Sequence, residues 1–351
     1  MNLTELLQHP RLLIEADLHP IAGTRFQPTG FPDLGAATYT AADGTPMLLV
    51  ESAQSMANRL EAVCWDEAAT KPVGALAGLP YVEATLPDGV KTNSLLEAHR
   101  LNSPYLVNSA EFTKIRDAIG YRPDAPFDRQ KLAQALFKFD PNSLLHGIFL
   151  EKVGGVVRLP RSLTAFIEAR QVNVAASGGV KVDRVQPSSN EKDPETGEKI
   201  PPKYGKADEG YGNVPYQRDE YTGAITAFFN LDLSLIAGFQ LPPAARELLV
   251  ALALFKIQRF FDTGLRLRTA CDLELKGDGL RVKRPAGGFT WPTPDEVTKR
   301  LGELLTTKEC TDLFADPRVT AVTYTKGTAK KSKGRKADAS SSPADSASAP
   351  E

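Results

Sequence analysis

The stretch LRLRTACDLELKGDGLRVKR, from Leu265 to Arg284, alternates apolar and polar residues with a period of two. This alternation is typical of a β-strand that buries one face. The Gly-Asp-Gly signal at Gly277 to Gly279 predicts that the chain reverses there and forms a hairpin of antiparallel strands. The segment therefore favours an antiparallel sheet.

Similar patterns outside this stretch predict further strands and helices. The predicted strands are Arg11 to Leu18, Leu144 to Glu151, Val180 to Val185 and Ile225 to Leu233. The predicted helices are Ser52 to Glu67, with Ser52 as its N-cap, Asp128 to Phe139, Leu241 to Thr263 and Thr293 to Thr306. Because strands and helices are intermingled and hairpins outnumber crossovers, we expect an α+β fold around an antiparallel sheet.

The composition excludes several classes of protein. The formal net charge is -1, which excludes a uniformly basic nucleic-acid chaperone but leaves room for a narrow basic groove. The three cysteines are too few and too scattered for a disulfide framework or a zinc site. The longest apolar run in the best helix, Leu248 to Phe255, is too short for a membrane span, and no secretory signal follows Met1. We expect a cytoplasmic protein with free thiols and no contact with a membrane.

Three segments differ in composition from the rest of the chain. Residues 70 to 127 are rich in Pro, Gly and Asn and are predicted to be an insertion with its own small structure. Residues 187 to 219 combine prolines, glycines and charges between two predicted strands, which indicates a long protruding hairpin. The tail from Lys326 is basic and then rich in Ser and Ala, so we expect it to be disordered.

The sequence contains no recognisable catalytic set. The four histidines are far apart and none has metal-ligand spacing, and His146 is predicted to be a structural histidine in an apolar strand. No phosphate-binding loop, nucleophile elbow or zinc-protease motif is present. Asp17, Asp33 and Glu51 have no partner motif and are interpreted as surface or capping groups. We therefore expect no catalytic residue, no metal and no cofactor.

Several polar segments favour nucleic-acid binding. The loop Gly23 to Gly35 combines glycines, an arginine, an amide and aromatic rings, which suits a sugar-phosphate chain with exposed bases. The start of the helix at Ser52 offers free N–H groups and short polar side chains, although a plain N-cap with a solvated face has the same pattern. Tyrosines of the protruding hairpin either stack on bases or pin the hairpin to the body. The candidate residues from these segments and from the Leu265 to Arg284 stretch are Arg25, Gln27, Ser52, Gln54, Asn58, Arg59, Tyr204, Tyr211, Tyr216, Arg266 and Arg268.

Seven stretches, in order along the chain, resemble the CRISPR-associated RAMP-superfamily backbone subunit of type I-G (formerly I-U) Cascade. They are EADLHPIAGTRFQPTGFPDLGAATY, LLVESAQSMANRLE, NSLLEAHRLNSPYL, DPNSLLHGIFLE, GYGNVPYQRDEYT, ITAFFNLDL and LRLRTACDLE, between Glu15 and Glu274. The Ser52-Ala53-Gln54 helix start is also similar to the Ser-Ser-Gln helix start by which other type I backbone subunits contact the guide-RNA backbone. Here Ala53 replaces the second serine, and the basic residue comes later, at Arg59.

The resemblance implies an RRM-like (ferredoxin-like) antiparallel-sheet palm with a fingers insertion and a thumb hairpin. Under it, the palm would comprise residues 1–69, 128–186 and 222–325, the fingers 70–127, the thumb 187–221 and a disordered tail 326–351. Copies would polymerise along one CRISPR RNA and present it for pairing with target DNA. Arg25, Gln27, Ser52, Gln54 and Arg59 would line one groove for the RNA backbone, and Tyr211, Tyr216 and Arg218 would clamp the strand. The partners implied are CRISPR RNA, target DNA, further copies, other Cascade subunits and, indirectly, a nuclease-helicase.

Two alternative functions stay open at the level of sequence. One is a RAMP endoribonuclease that matures the guide RNA, with His146 or His19 as general base. The other is a backbone subunit that cleaves target RNA through a metal held by a loop aspartate such as Asp33. Both need a clustered catalytic set, which the sequence does not display.

Overall fold

The computed structural model describes residues 3–31, 35–181, 194–197, 214–263, 265–287 and 289–325. Its strands are β1 (Arg11–Pro20), β2 (Gly30–Phe31), β3 (Gly35–Ala36), β4 (Thr38–Thr40), β5 (Pro46–Glu51), β6 (Trp65–Asp66), β7 (Lys71–Pro72), β8 (Tyr81–Thr85), β9 (Lys91–Asn93), β10 (Ile148–Leu150), β11 (Val157–Leu159), β12 (Leu163–Lys181), β13 (Val214–Asp232), β14 (Leu265–Arg268), β15 (Cys271–Arg284) and β16 (Val319–Thr323). Its α-helices are α1 (Leu3–Leu6), α2 (Ala53–Ala62), α3 (Pro104–Val107), α4 (Thr113–Ile119), α5 (Arg129–Phe139), α6 (Asn142–His146), α7 (Leu233–Gly238), α8 (Pro243–Asp262), α9 (Pro294–Thr306) and α10 (Lys308–Thr311).

A seven-stranded antiparallel sheet in the order β14-β15-β1-β13-β12-β5-β4 is the centre of the fold. The strands alternate as the sequence pattern requires, and in β1 every second residue from Leu12 to Leu18 is buried. Helix α8 packs against this apolar face, where Phe260 and Phe261 meet Phe229 of β13 edge to face. The predicted α+β class with a large antiparallel sheet is therefore confirmed.

Several predicted helices form where their local signals place them. The Ser52 hydroxyl accepts a hydrogen bond from the Ser55 N–H and caps α2 as predicted, and Asp128 caps α5 in the same way. Thr293 and Glu296 form a capping box at the start of α9. Helix α8 is buried on nearly all sides, and within the described ranges no helix combines the length and hydropathy of a membrane span. The three cysteines are buried free thiols.

The predicted reversal at Gly277 to Gly279 is wrong. The hairpin turn lies earlier, at Thr269 and Ala270, and β15 continues through the glycines as one strand. Ala16 pairs with Leu280 while Leu18 pairs with Leu275, so the intervening residues of β15 form a bulge opposite Asp17. Because β1 pairs with β15 on both sides of this bulge, long-range hydrogen bonding overrides the local turn signal.

Two further element boundaries differ from the sequence prediction. Residues predicted to begin a strand at Leu144 end α6 instead, and the strand β10 starts only at Ile148. Gly147 separates the two elements with a left-handed φ of 74°. Helix α2 ends at Ala62 rather than Glu67, because the chain turns there and β6 pairs with β7.

The arms of the predicted hairpin are long and antiparallel. β12 already begins at Leu163, far ahead of the predicted start at Val180, and β13 runs to Asp232. From Asn173 to Lys181, β12 pairs with β13 residues Val214 to Thr222, beyond the part of β12 that pairs with β5. The two arms therefore extend past the sheet as a ribbon, and most of the segment 182–213 lies outside the described residues.

The segment 70–127 contains β8 and β9, which form a second sheet with β16. β16 comes from the far end of the chain and pairs in parallel with β8, from Val319 opposite Tyr81 to Thr323 opposite Thr85. Apolar residues of this segment, such as Leu101 and Phe112, join the same core cluster as the main sheet.

The bulge of β15 predicts contrasting effects for two glycines. A Cβ at Gly279 would lie 2.7 Å from the Lys276 carbonyl oxygen and 3.0 Å from that of Asp17, whereas a Cβ at Gly302 in α9 would meet nothing within 4 Å. We expect Gly279→Ala to lower the free energy of unfolding by about 1–3 kcal/mol through steric strain. We expect Gly302→Ala to raise it by about 0.5–1 kcal/mol, because alanine has the higher helix propensity. Denaturant titration measures both, and equal effects would contradict the bulge.

Candidate nucleic-acid interface

A buried carboxylate, Glu51, organises the end of the sheet where β5 leads into α2. Its side chain is 2% exposed and accepts from Ser55 Oγ and from Arg268 Nη2, while Arg59 Nε lies 3.3 Å from Oε1. Glu51 is thus a buried ion-pair partner, and its interpretation as a surface or capping group is wrong. Two arginines share one carboxylate, so this Glu51 cluster (Glu51, Ser55, Arg59 and Arg268) keeps one net positive charge.

The loop after β1 is tied to the Glu51 cluster through its main chain. Arg268 Nη1 donates to the Gln27 carbonyl at 2.8 Å, and the Gln27 N–H donates to the Ala270 carbonyl at 2.7 Å. Phe26 is buried and exchanges two main-chain hydrogen bonds with Tyr221 of β13. The loop of residues 21–29, which we call the strap, therefore crosses the ends of the strands. Its main chain, and not the Gln27 side chain, makes the hydrogen bonds described here.

Two candidate arginines near this strap are open to solvent. The Arg25 side chain is 54% exposed, and its Nη1 forms an ion pair with Oε2 of Glu220 in β13 at 3.2 Å. Arg266 is exposed on β14, with Leu265 and Leu267 buried on the other face. Arg266 and Arg268 project from the same face of β14, but Arg268 donates a hydrogen bond to Glu51 and Arg266 is not part of the Glu51 cluster. Arg59 is likewise engaged, because its Nη2 donates to the Leu267 carbonyl at 2.6 Å.

The first turn of α2 lies between the Glu51 cluster and a second polar region. Ser55 contacts Glu51, whereas Gln54 accepts a hydrogen bond from Arg161 Nη2. Asn58, a further candidate, is half-buried on the same helix. The five residues predicted to line one groove are thus divided. Arg59 belongs to the Glu51 cluster, and Gln27 and Ser52 border it. Gln54 binds Arg161, and Arg25 pairs with Glu220.

The second polar region is an open cleft of about 880 Å³ beside the β10–β11 hairpin. We refer to it as the hairpin cleft. Its described lining residues are Gln54, Ala98, His99, Arg100, Asn102, His146, Gly147, Ile148, Phe149, Glu151, Arg158, Leu159, Pro160 and Arg161. On its hairpin side the Arg158 guanidinium lies 4.9 Å from the centre of the Phe149 ring, a cation–π contact between cross-strand neighbours. Of these residues, only Gln54 is predicted from the sequence to bind RNA, whereas His146 is predicted as a structural histidine or, in the alternative function, as a general base.

Beneath the hairpin cleft lies a network of buried charges. The Lys256 ammonium of α8 is fully buried, 2.8 Å from His146 Nε2. Arg100 binds Glu61 through two hydrogen bonds, of 2.5 and 2.7 Å. Burial raises the pKa of Glu61 to about 7 although Arg100 and Lys256 oppose it, and burial also raises the pKa of Asp140.

His146 is held neutral in this network. Burial, and then the charge of Lys256, lower the pKa of His146 well below its ordinary value. His146 is 1% exposed and is the last residue of α6, so it is buried as expected but lies in a helix and not in the predicted strand.

The cations of β15 are paired with carboxylates of the neighbouring strand. Arg281 binds Asp17 through two hydrogen bonds, which lower the pKa of that carboxyl, and Lys283 lies 3.6 Å from Glu15. These carboxylates come from β1, the neighbouring strand. Arg281 and Lys283 therefore stabilise the sheet and do not extend the basic surface of Arg266.

The candidates on the protruding hairpin are not located by the structure. Tyr204 and Tyr211 lie outside the described residues, as do Asp33 and the tail from Lys326. Tyr216 and Arg218 belong to β13, but their side chains are also outside the description. Among the residues that are described, no group of three or more His, Cys, Asp and Glu side chains is arranged to hold a metal ion.

Comparison with known proteins gives a sequence match over part of the chain. Residues 12–174 match the family model described as CRISPR-associated protein GSU0053 (Cas_GSU0053). These residues contain β1 from Leu12 onward, β2 to β11, α2 to α6 and the first part of β12. The similarity is therefore to a CRISPR-associated family, over the region that holds the lining of the hairpin cleft. No curated protein matches the chain.

Two solved structures show weaker similarity. The first is titled "CRISPR RNA-guided surveillance complex, pre-nicking", with 12% identity, a TM-score of 0.37, and 84% of this chain and 87% of that chain covered. The second is Csc2 of Thermofilum pendens, with 11% identity, a TM-score of 0.28, and coverages of 87% and 81%.

The Glu51 cluster predicts a large loss of stability when its carboxylate is removed. Glu51→Gln leaves Arg59 and Arg268 partly buried without a counter-charge, so we expect the free energy of unfolding to fall by about 3 kcal/mol. Glu15→Gln is the matched control, because Glu15 is partly exposed and its Oε2 lies 3.6 Å from both Arg281 Nη2 and Lys283 Nζ. We expect this control to lose at most about 1 kcal/mol. Similar losses for both variants in denaturant titrations would show that Glu51 does not organise the cluster.

The lowered pKa of His146 predicts acid sensitivity. Below pH 6.5 the unfolded chain binds a proton at His146 that the folded chain does not, so the free energy of unfolding decreases as the pH falls. Glu61 and Asp140, with raised pKa values, act in the opposite direction, and the comparison is therefore with His146→Gln. Between pH 7 and pH 5 we expect the wild-type protein to lose about 2 kcal/mol relative to this variant. Parallel pH profiles in denaturant titrations would contradict a neutral buried His146.

Proposed function

We propose that this protein is a non-catalytic, guide-RNA-binding backbone subunit of a type I-G Cascade complex, acting in antiviral defence in the cytoplasm. Copies of the chain polymerise along one CRISPR RNA and hold it ready to pair with target DNA. The observation that carries the proposal is the match of residues 12–174 to a CRISPR-associated family. Those residues include the strap after β1, the first turn of α2 and the hairpin cleft.

The arrangement of charge suits the backbone of RNA rather than its sequence. Phosphate contacts fix the position of a strand, and base pairing then supplies specificity. The Glu51 cluster has one net positive charge, and the exposed Arg25 and Arg266 lie on the segments that the cluster ties together. We infer that these groups border the RNA backbone along the strap and α2.

The resemblance to a palm, fingers and thumb completes the proposed assembly. The β12–β13 ribbon extends past the sheet, which supports a thumb at 187–221 that reaches the neighbouring copy. Tyr211, Tyr216 and Arg218 are proposed to clamp the RNA there, with residues 70–127 as fingers. Other Cascade subunits bind the assembled filament, and a separate nuclease-helicase cuts the DNA.

The surroundings of His146 support a role without catalysis. A general base needs a ring nitrogen that is free to take up a proton. His146 Nε2 accepts a hydrogen bond from the Lys256 ammonium, and the proton of the neutral ring is on Nδ1. This contact favours the RNA-binding function over a maturation endoribonuclease with His146 as its base.

The proposal predicts RNA retention that depends on exposed arginines. When the protein is expressed with its neighbours and a CRISPR array, we expect CRISPR RNA to co-purify, identified by sequencing. The variant Arg25→Glu, Arg266→Glu should retain at least tenfold less RNA at a fixed salt concentration, because two phosphate contacts become repulsive. The matched control Arg116→Glu, Arg129→Glu changes the same charge on α4 and α5 and should retain normal amounts.

Three results would overturn parts of the proposal. Purification of the wild-type protein without CRISPR RNA would reject guide binding. Equal retention by both double variants would reject this basic surface. Cleavage of guide precursor or target RNA with Mg²⁺ or Mn²⁺ would reject the non-catalytic role and favour an endoribonuclease.

A further inference from the structure

The hairpin cleft has the size and lining of a site for a small ligand. Its volume of about 880 Å³ lies within the range of roughly 300–1,000 Å³ that is typical of ligand pockets. It lies where three distant segments meet: the 3-10 helix Arg100–Asn102, the end of α6 and the β10–β11 hairpin. Gly147 permits this meeting, since a Cβ there would lie 2.8 Å from the Leu159 carbonyl oxygen.

Arg158 and Arg161 of the hairpin cleft make hydrogen bonds and ring contacts with uncharged groups, whereas arginines on the sheet pair with carboxylates. Arg161 donates to the His146 carbonyl at 3.2 Å and to the uncharged Gln54, and Arg158 lies on the Phe149 ring. Among the described lining residues Glu151 is the acidic group, against Arg158 and Arg161; the charge of the third arginine, Arg100, is balanced by Glu61. The cleft therefore favours an anion.

The Arg158–Phe149 pair supplies a flat surface beside these cations. Phe149 is 41% exposed although it is a large apolar ring, and Arg158 is exposed as well. Aromatic rings and guanidinium planes are the groups on which proteins stack the bases of single-stranded RNA. A ligand that carries both a negative charge and a flat ring would bind the cations and stack on the Arg158–Phe149 pair.

His146 adds a directed hydrogen-bond donor. Lys256 can only donate, so His146 Nε2 accepts, and the proton of the neutral ring is on Nδ1. Nδ1 is buried, and no described residue accepts from it. Arg100, which also lines the cleft, adopts a left-handed backbone with φ 52°, a strained conformation that concentrates at functional sites.

We propose that the hairpin cleft binds one nucleotide unit of single-stranded RNA. Arg161 and His146 Nδ1–H hold a phosphate oxygen, and the base stacks on the Arg158–Phe149 pair. This inference rests on the proposed function, and it adds a nucleotide site that is separate from the basic surface of Arg25 and Arg266.

Calorimetry on the full chain tests the site with three probes: a tetranucleotide RNA, adenosine 5′-monophosphate and inorganic phosphate. Phe149→Ala and Arg158→Ala should weaken binding of the two nucleotide probes at least tenfold and change phosphate binding less than twofold, because stacking is lost. Arg161→Gln should weaken all three. Arg116→Ala, an exposed arginine of α4, is the matched control and should leave all three within twofold. Melting temperatures identify any variant that fails to fold.

The outcomes separate this inference from the proposed function. Wild-type affinity for the nucleotide probes in both Phe149→Ala and Arg158→Ala would overturn the cleft site, even if CRISPR RNA co-purifies as expected. Mononucleotide binding that these variants abolish, in a protein that purifies without CRISPR RNA, would support the cleft site and reject the guide-binding function. Binding of inorganic phosphate alone would also overturn the inference, because the stacking pair would then have no ligand.

Discussion

The fully buried ammonium of Lys256 constrains the structure around the hairpin cleft. Helix α8 is apolar on nearly all sides, so the sheet and the other helices enclose it, and the lysine cannot reach water. A buried charge needs hydrogen-bond acceptors and opposite charges close by. His146 Nε2 supplies the acceptor, and the carboxylates of Glu61 and Asp140 supply opposite charge. The elements that carry these groups, α2 with Glu61 and α6 with His146, pack around α8 and satisfy this requirement, and Arg100 binds Glu61 in turn.

Elements with strong local signals could be predicted from the sequence. Strand β1, the capped starts of α2, α5 and α9, and the apolar helix α8 depend on periodicity and capping within about twenty residues. The course of β15 depends on a different strand, because pairing with β1 on both sides of Asp17 outweighs the Gly-Asp-Gly turn signal. The end of α6 at His146 is equally non-local, since the same residues fit a buried strand or a buried helix.

The candidate nucleic-acid interface could be predicted only in part, because most of its contacts join residues that are far apart in the sequence. Ser52 and Gln54 follow from the helix start, but the role of Glu51 depends on Arg268, more than two hundred residues later. The hairpin cleft combines segments near residues 54, 100, 146 and 160, and no spacing within one segment reveals it. The Val-Arg-Leu alternation of β11 is a local signal for an outward-facing Arg158, whereas Ile-Phe-Leu in β10 is apolar throughout and does not reveal that Phe149 is exposed.

The near-zero net charge of the chain conceals two kinds of arginine. On the sheet, cations and carboxylates of adjacent strands are paired, as in Arg281 with Asp17 and Arg11 with Asp232, so these charges cancel locally. At the hairpin cleft, Arg158 and Arg161 contact a ring, an amide and a carbonyl instead of a carboxylate. A field that attracts phosphate depends on where such groups lie and not on the sum of charges over the chain. A chain whose positive and negative charges nearly cancel can therefore pack beside its own copies and still offer a cationic site for each segment of RNA.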